Sequence, residues 1–167
     1  MKKNIFLALD FNSQKKALEV VEKINDHLAG IKIGLELYNT IGLTGIKDFE
    51  KFKLPIFLDT KIFDIPNQVA KTIKVISKIK SIRYFTIHAL GSLEMLEAAQ
   101  SIATDKGLDL LAVTVLTSWN KNNLEQIGIK HSVKDQVKIL VEMVNKAKLS
   151  GIIASAQDIK LAREISK

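Results

Sequence analysis

FLDTKIFDIPN, residues 57–67, has the apolar composition of a buried strand and yet carries Asp59, Lys61 and Asp64. An ion in such a segment loses hydration and must find a partner to offset that loss. Side chains alternate across a strand, so Asp59 and Lys61, two apart, share one face. Asp64 falls three residues later, where the strand gives way to a loop stiffened by Pro66, so it can return to the same site or reach a neighbouring subunit. Lys32, inside another apolar run, supplies a fourth charge. Two lysines and two aspartates sum to zero, and an alternating array of this kind keeps all four ionised where a lone ion would neutralise. A purely structural network of buried salt bridges would give the same pattern.

Outward from this stretch, apolar runs and helical patterns alternate along the chain. Strand candidates are 4–10 (NIFLALD), 30–37 (GIKIGLEL), 55–61 (PIFLDTK), 84–89 (YFTIHA), 110–117 (LLAVTVLT) and 151–155 (GIIAS). They are mostly continuous apolar runs, as parallel strands covered by helices require. Between them, Ala17, Leu18, Val21, Ile24 and Leu28 make one helical stripe, with Asn12 or Ser13 as its N-cap. The segments 67–79, 92–104 and 132–148 repeat the pattern; the last opens with Ser132 three before Asp135 and closes at Gly151, and 157–167 adds a final helical stretch.

Alternating strands and helices imply a parallel sheet, either doubly wound or closed as a (β/α)8 barrel. Polar residues favour the barrel, whose catalytic side chains come from the C-terminal ends of several strands. Asp10, Asp59 with Lys61, His88, and Thr117 with Ser118 all lie near such ends. A doubly wound nucleotide binder calls for a Gly-rich turn after its first strand, and LALDFNSQ (7–14) has no glycine. A flavodoxin-like domain is the alternative.

Composition bounds the function. The 167 residues are 47% apolar and 26% charged, as in a globular protein with a sizeable core. With no cysteine, thiolate metal sites and disulfides are excluded, which suits a reducing cytoplasm. The apolar run of MKKNIFLALD stops at Asp10, short of a signal peptide's hydrophobic region. LLAVTVLTSW (110–119) is about half the ~20 residues a membrane helix needs, so no membrane partner is expected. The formal charge of +7 asks for an anionic partner, but the lysines fall between apolar helix positions and form no basic run, so a small phosphorylated substrate is favoured over nucleic acid. His27, His88 and His131 have no metal-ligand spacing, and His88 reads as structural in its apolar strand.

Asp59-x-Lys61-x-x-Asp64-Ile65-Pro66-Asn67 resembles the signature of orotidine 5'-phosphate decarboxylases, which make UMP at the end of pyrimidine biosynthesis. The resemblance continues through LALD (7–10), IKIGLEL (31–37), TIHALG (86–91), AVTVLTS (112–118) and GIIASAQ (151–157). It implies a TIM (β/α)8 barrel of the ribulose-phosphate-binding type, a cofactor-independent and metal-free carbon–carbon lyase, and a cytoplasmic homodimer. It further implies that Lys61 is the proton donor, that Asp59 faces the departing carboxylate, and that Asp10 and Lys32 contact the ribose hydroxyls. Thr117 and Ser118 would address the pyrimidine, Ile65, Pro66 and Gln68 would line the substrate, and Asp64 would enter the partner's site. Two positions depart from the pattern: Phe63 stands where a histidine is common, and Gln68 where a threonine helps to bind across the dimer.

Magnesium-dependent barrels of the 3-keto-L-gulonate 6-phosphate decarboxylase and hexulose-6-phosphate synthase type share the Asp-x-Lys-x-x-Asp pattern. They place an acidic metal ligand on the second strand, where this chain has Lys32, and a cation there opposes metal binding. A basic nucleic-acid-binding domain is the non-enzyme alternative. Six strand candidates also fall short of the eight a closed barrel needs, and the Gly-Ile-Arg-Pro-like and Gly-Arg segments that bind phosphate in the family do not occur. The expectation is therefore one barrel domain over 1–167, incomplete at its C-terminus.

Overall fold

The computed structural model describes residues 4–166. Six strands, β1 (Phe6–Ala8), β2 (Gly30–Gly34), β3 (Ile56–Ile62), β4 (Ile82–His88), β5 (Asp109–Val113) and β6 (Gly151–Ile153), form one sheet in the order of the chain. Every neighbouring pair is parallel. The helices are α1 (Gln14–Ile24), α2 (Leu35–Ile46), α3 (Pro66–Ile76), α4 (Leu93–Lys106), α5 (Lys121–Gln126), α6 (Val133–Lys146) and α7 (Ile159–Ile165). A doubly wound sheet reverses its strand order at a switch point. This one never does; it is the wall of a partial TIM barrel, with β1 and β6 at its two edges among the described residues.

The helices form where their caps and stripes place them. Ser13, rather than Asn12, caps α1 by accepting the Lys16 N–H at 3.4 Å, and the helix buries Ala17 and Val21. Ser132 caps α6 in the same way, accepting the Asp135 N–H at 3.1 Å and donating to its carboxylate at 2.6 Å. That helix ends at Lys146, with the reversal taken by Lys148 (φ 58), whereas Gly151 opens β6.

Alternate strand residues, including Ile31, Ile33, Ile56, Leu58, Phe85, Ile87, Leu110 and Ala112, are fully buried in one cluster with Val69, Ile73, Leu96, Val137 and Val141 of the helices. The other strand face carries an aromatic layer: Tyr84 meets Phe6 and Phe57 edge-on at 5.8 and 6.2 Å between ring centroids. Gly30, the ladder partner of Phe6, makes room for it. A Cβ there would run into the Phe6 ring and stand 2.7 Å from the Pro55 carbonyl oxygen.

Four strands are shorter than the sequence pattern implies: β1 keeps three residues of 4–10 and β6 three of 151–155, and the runs 30–37 and 110–117 also end early. The run 30–37 breaks at Gly34, and Leu35 to Leu37 open α2, because a continuous apolar run does not distinguish strand from helix. The run 110–117 ends at Val113. There β5 runs out of partners: its last ladder residue opposite β4 is paired with His88, and opposite β6 with Ile153. Thr114 makes one more bond on each of its N–H and hydroxyl, both to the Ile153 carbonyl, at 3.1 and 3.2 Å. Thr117 and Ser118 therefore sit in an exposed turn beyond the strand.

Candidate active site

The charged stretch does not follow regular strand alternation. The ladder pairs Leu58 with Phe85 and Ile62 with Ile87, so four positions of β3 run beside two of β4. Asp59, Thr60 and Lys61 thus face the single residue Thr86, a bulge of the kind that re-aims side chains beside active sites. Lys61 takes up the excess with a left-handed backbone, φ 50.

The bulge brings the two charges together. Lys61 Nζ donates to both Asp59 carboxylate oxygens at 2.8 Å, with the Asp59 side chain 15% exposed and that of Lys61 33%. The fully buried Thr86 lies behind the pair: its hydroxyl accepts the Lys61 backbone N–H at 2.8 Å and donates to Asp59 Oδ1 at 3.0 Å.

A second pair stands next to the first. Lys32 Nζ lies 3.0 Å from Asp10 Oδ1, joining β2 to the loop that follows β1. Gly34 is the ladder partner of Asp59, and a Cβ built on it would come to 3.4 Å from Asp10 Oδ1 and 3.7 Å from Lys32 Nζ. The glycine thus separates the two ion pairs without a side chain between them. Lys32 is paired with Asp10, so the expected four-charge array of Lys32, Asp59, Lys61 and Asp64 divides into one pair with Asp10, one pair with Asp59, and Asp64 apart.

Asp64 is exposed beyond the end of β3, where its Oδ1 accepts the Ile65 N–H at 2.6 Å. It has no ion-pair partner among the described residues. Pro66 opens α3, where its missing N–H costs nothing. Around it Phe63 and Ile65 are 63% and 64% exposed, and Gln68 is exposed on the first turn.

His88, near-fully buried at the end of β4, accepts the Leu90 N–H on Nδ1 at 3.3 Å. Burial, and then the Lys61 charge, push its pKa below the usual 6.5, so the imidazole is neutral with its proton on Nε2. Phe63 lies over it, with ring centroids 6.2 Å apart.

Thr86 was not singled out by sequence reasoning. The available signal was a hydroxyl in an apolar strand, two residues before His88 and so on the same face. A cavity of about 650 Å³ between α6, β6 and α7 is lined by none of these charged groups. The ion pairs stand instead near the strand ends, an arrangement in which a held ammonium can stabilise an adjacent anion and then give it a proton.

The family described as "Orotidine 5'-phosphate decarboxylase / HUMPS family" matches residues 3–167. A protein named orotidine 5'-phosphate decarboxylase from Sphingopyxis alaskensis is 41% identical over 96% of this chain and 70% of its own length. One of the same name from Carboxydothermus hydrogenoformans is 37% identical over 99% of this chain and 71% of its own. The crystal structure of orotidine 5'-phosphate decarboxylase from Lactobacillus acidophilus superposes with a TM-score of 0.87 at 29% identity, covering 99% of this chain and 78% of that one.

Proposed function

Because this chain belongs to the orotidine 5'-phosphate decarboxylase / HUMPS family, we propose that it converts orotidine 5'-phosphate to UMP and carbon dioxide. The observation that carries this reading is the Lys61–Asp59 pair, held at 2.8 Å on the C-terminal end of β3.

The reaction breaks the bond between C6 and the carboxylate. Carbon dioxide leaves, and the electron pair stays on C6 in the plane of the ring, where the π system cannot delocalise it. The Lys61 ammonium is preorganised for that charge. It stabilises the carbanion and then transfers one Nζ proton to C6, leaving a neutral amine that regains a proton from water. Asp59 holds the ammonium in place and faces the departing carboxylate. No cofactor or metal enters the scheme.

Asp10 and Lys32 hold the ribose hydroxyls, and Thr117 and Ser118 the pyrimidine, while Ile65, Pro66 and Gln68 line the nucleotide. Asp64, exposed on a stiff loop, enters the neighbouring site of a homodimer. That placement is supported by its lack of an ion-pair partner among the described residues.

Thermal unfolding with UMP, magnesium chloride or duplex DNA tests the reading, since a ligand that binds only the folded state raises the midpoint. UMP alone should do so. Stabilisation by magnesium or DNA and none by UMP would overturn it.

A further inference from the structure

We infer that Thr86 is a positioning residue for the proton donor, an inference that rests on Lys61 filling that role. The hydroxyl has a fixed direction. A backbone N–H only donates and a carboxylate only accepts, so Thr86 must receive the bond from Lys61 and give its own proton to Asp59. Together with the Lys61 ammonium on Asp59, these bonds close a ring that starts at the Lys61 backbone and returns to its side chain.

The ring answers a problem that the bulge creates. With Leu58 opposite Phe85 and Ile62 opposite Ile87, the Lys61 N–H is displaced from the ladder, and Lys61 holds a left-handed backbone that non-glycine residues keep only when their surroundings enforce it. Thr86 is fully buried and directly opposite the bulge. One hydroxyl therefore satisfies the displaced amide and fixes the carboxylate that receives the ammonium. Valine has nearly the shape of threonine but can do neither.

The test compares Thr86→Val and Thr86→Ser for steady-state decarboxylation of orotidine 5'-phosphate and for amide hydrogen exchange at Lys61, followed by NMR. A misplaced reacting group costs on the order of 10²-fold, so Thr86→Val should lower kcat by about that factor. KM should move by less than about threefold, because the groups that hold the rest of the substrate are untouched. Thr86→Ser should restore kcat to within about threefold of the wild type, since it restores the hydroxyl. The Lys61 amide should be protected in the wild type and in Thr86→Ser and exchange faster in Thr86→Val. Should Thr86→Val fail to fold, Thr86→Ala removes the same hydroxyl with a smaller side chain and replaces it. An unchanged kcat in the valine variant, or a Lys61 amide that exchanges alike in all three proteins, overturns the inference. Absence of decarboxylation by the wild type would count against the proposed reaction alone, because the exchange arm still decides whether Thr86 holds Lys61.

Discussion

Lys61 holds its ammonium 2.8 Å from both carboxylate oxygens of Asp59, although only one residue separates them and Lys61 itself has φ 50. Regular alternation would merely put both side chains on one face. The bulge and the left-handed turn fold the lysine back onto its own strand neighbour.

That backbone has a measurable consequence. A non-glycine residue in the left-handed region carries a strain of roughly 1–2 kcal/mol that glycine does not. Lys61→Ala and Lys61→Gly both remove the ammonium, so their difference isolates the backbone. The glycine variant should be the more stable by about 1 kcal/mol in urea unfolding, reversing the usual order in a strand. An alanine variant of equal or greater stability would mean that Lys61 is unstrained.

Exposure of Asp64 predicts complementation between subunits. Asp59→Ala and Asp64→Ala proteins, each inactive alone, should regain activity when mixed, because a mixed dimer contains one site with both defects and one with neither. Lack of rescue, with subunit exchange demonstrated by mass spectrometry, would return Asp64 to its own subunit's site.

His88 predicts a pH dependence with a definite sign. Burial, and secondarily Lys61, lower its folded-state pKa below 6.5, so the unfolded chain binds this proton first as pH falls. Stability rises with pH wherever the unfolded state binds more protons. The contribution of His88 is therefore fully present above 6.5 and is lost as pH falls toward its folded value. Urea unfolding from roughly pH 8 to pH 5 should show the stability gap between wild type and His88→Gln shrinking toward acid, since the unperturbed imidazole titrates in that window. A gap that is constant or widens contradicts it.

Packing on the inner face of the sheet predicts that Gly30→Ala is costly. Its Cβ would meet the Phe6 ring and stand 2.7 Å from the Pro55 carbonyl, which is backbone and yields little. Overpacking of this kind costs about 1–3 kcal/mol, measurable in urea unfolding. A neutral substitution would show that β1 can move away from β2.

The barrel class was legible in the sequence because parallel strands leave continuous apolar runs and the polar exceptions gathered at their C-terminal ends. Leu35 to Leu37 were not separable from β2, since only Gly34 marks where the run changes from strand to helix. The residues Asp10, Lys32, Asp59 and Lys61 were legible as charges in apolar surroundings, but their pairing was not. The Asp10–Lys32 partnership depends on the register of β1 beside β2 and on the space left by Gly34. Thr86 stayed hidden because its role comes from a bulge two strand positions deep, which no local pattern in β3 or β4 reveals.

Conversion of orotidine 5'-phosphate to UMP, followed chromatographically in the presence of a metal chelator for the wild type and for folded Lys61→Ala, tests whether the Lys61–Asp59 pair performs a metal-free decarboxylation. The wild type should form UMP despite the chelator, and the variant should lose at least about 10³-fold in kcat, within the range of a lost acid catalyst and charge stabiliser. Chelator-sensitive turnover, no UMP from the wild type, or a folded Lys61→Ala protein working at the wild-type rate would contradict it.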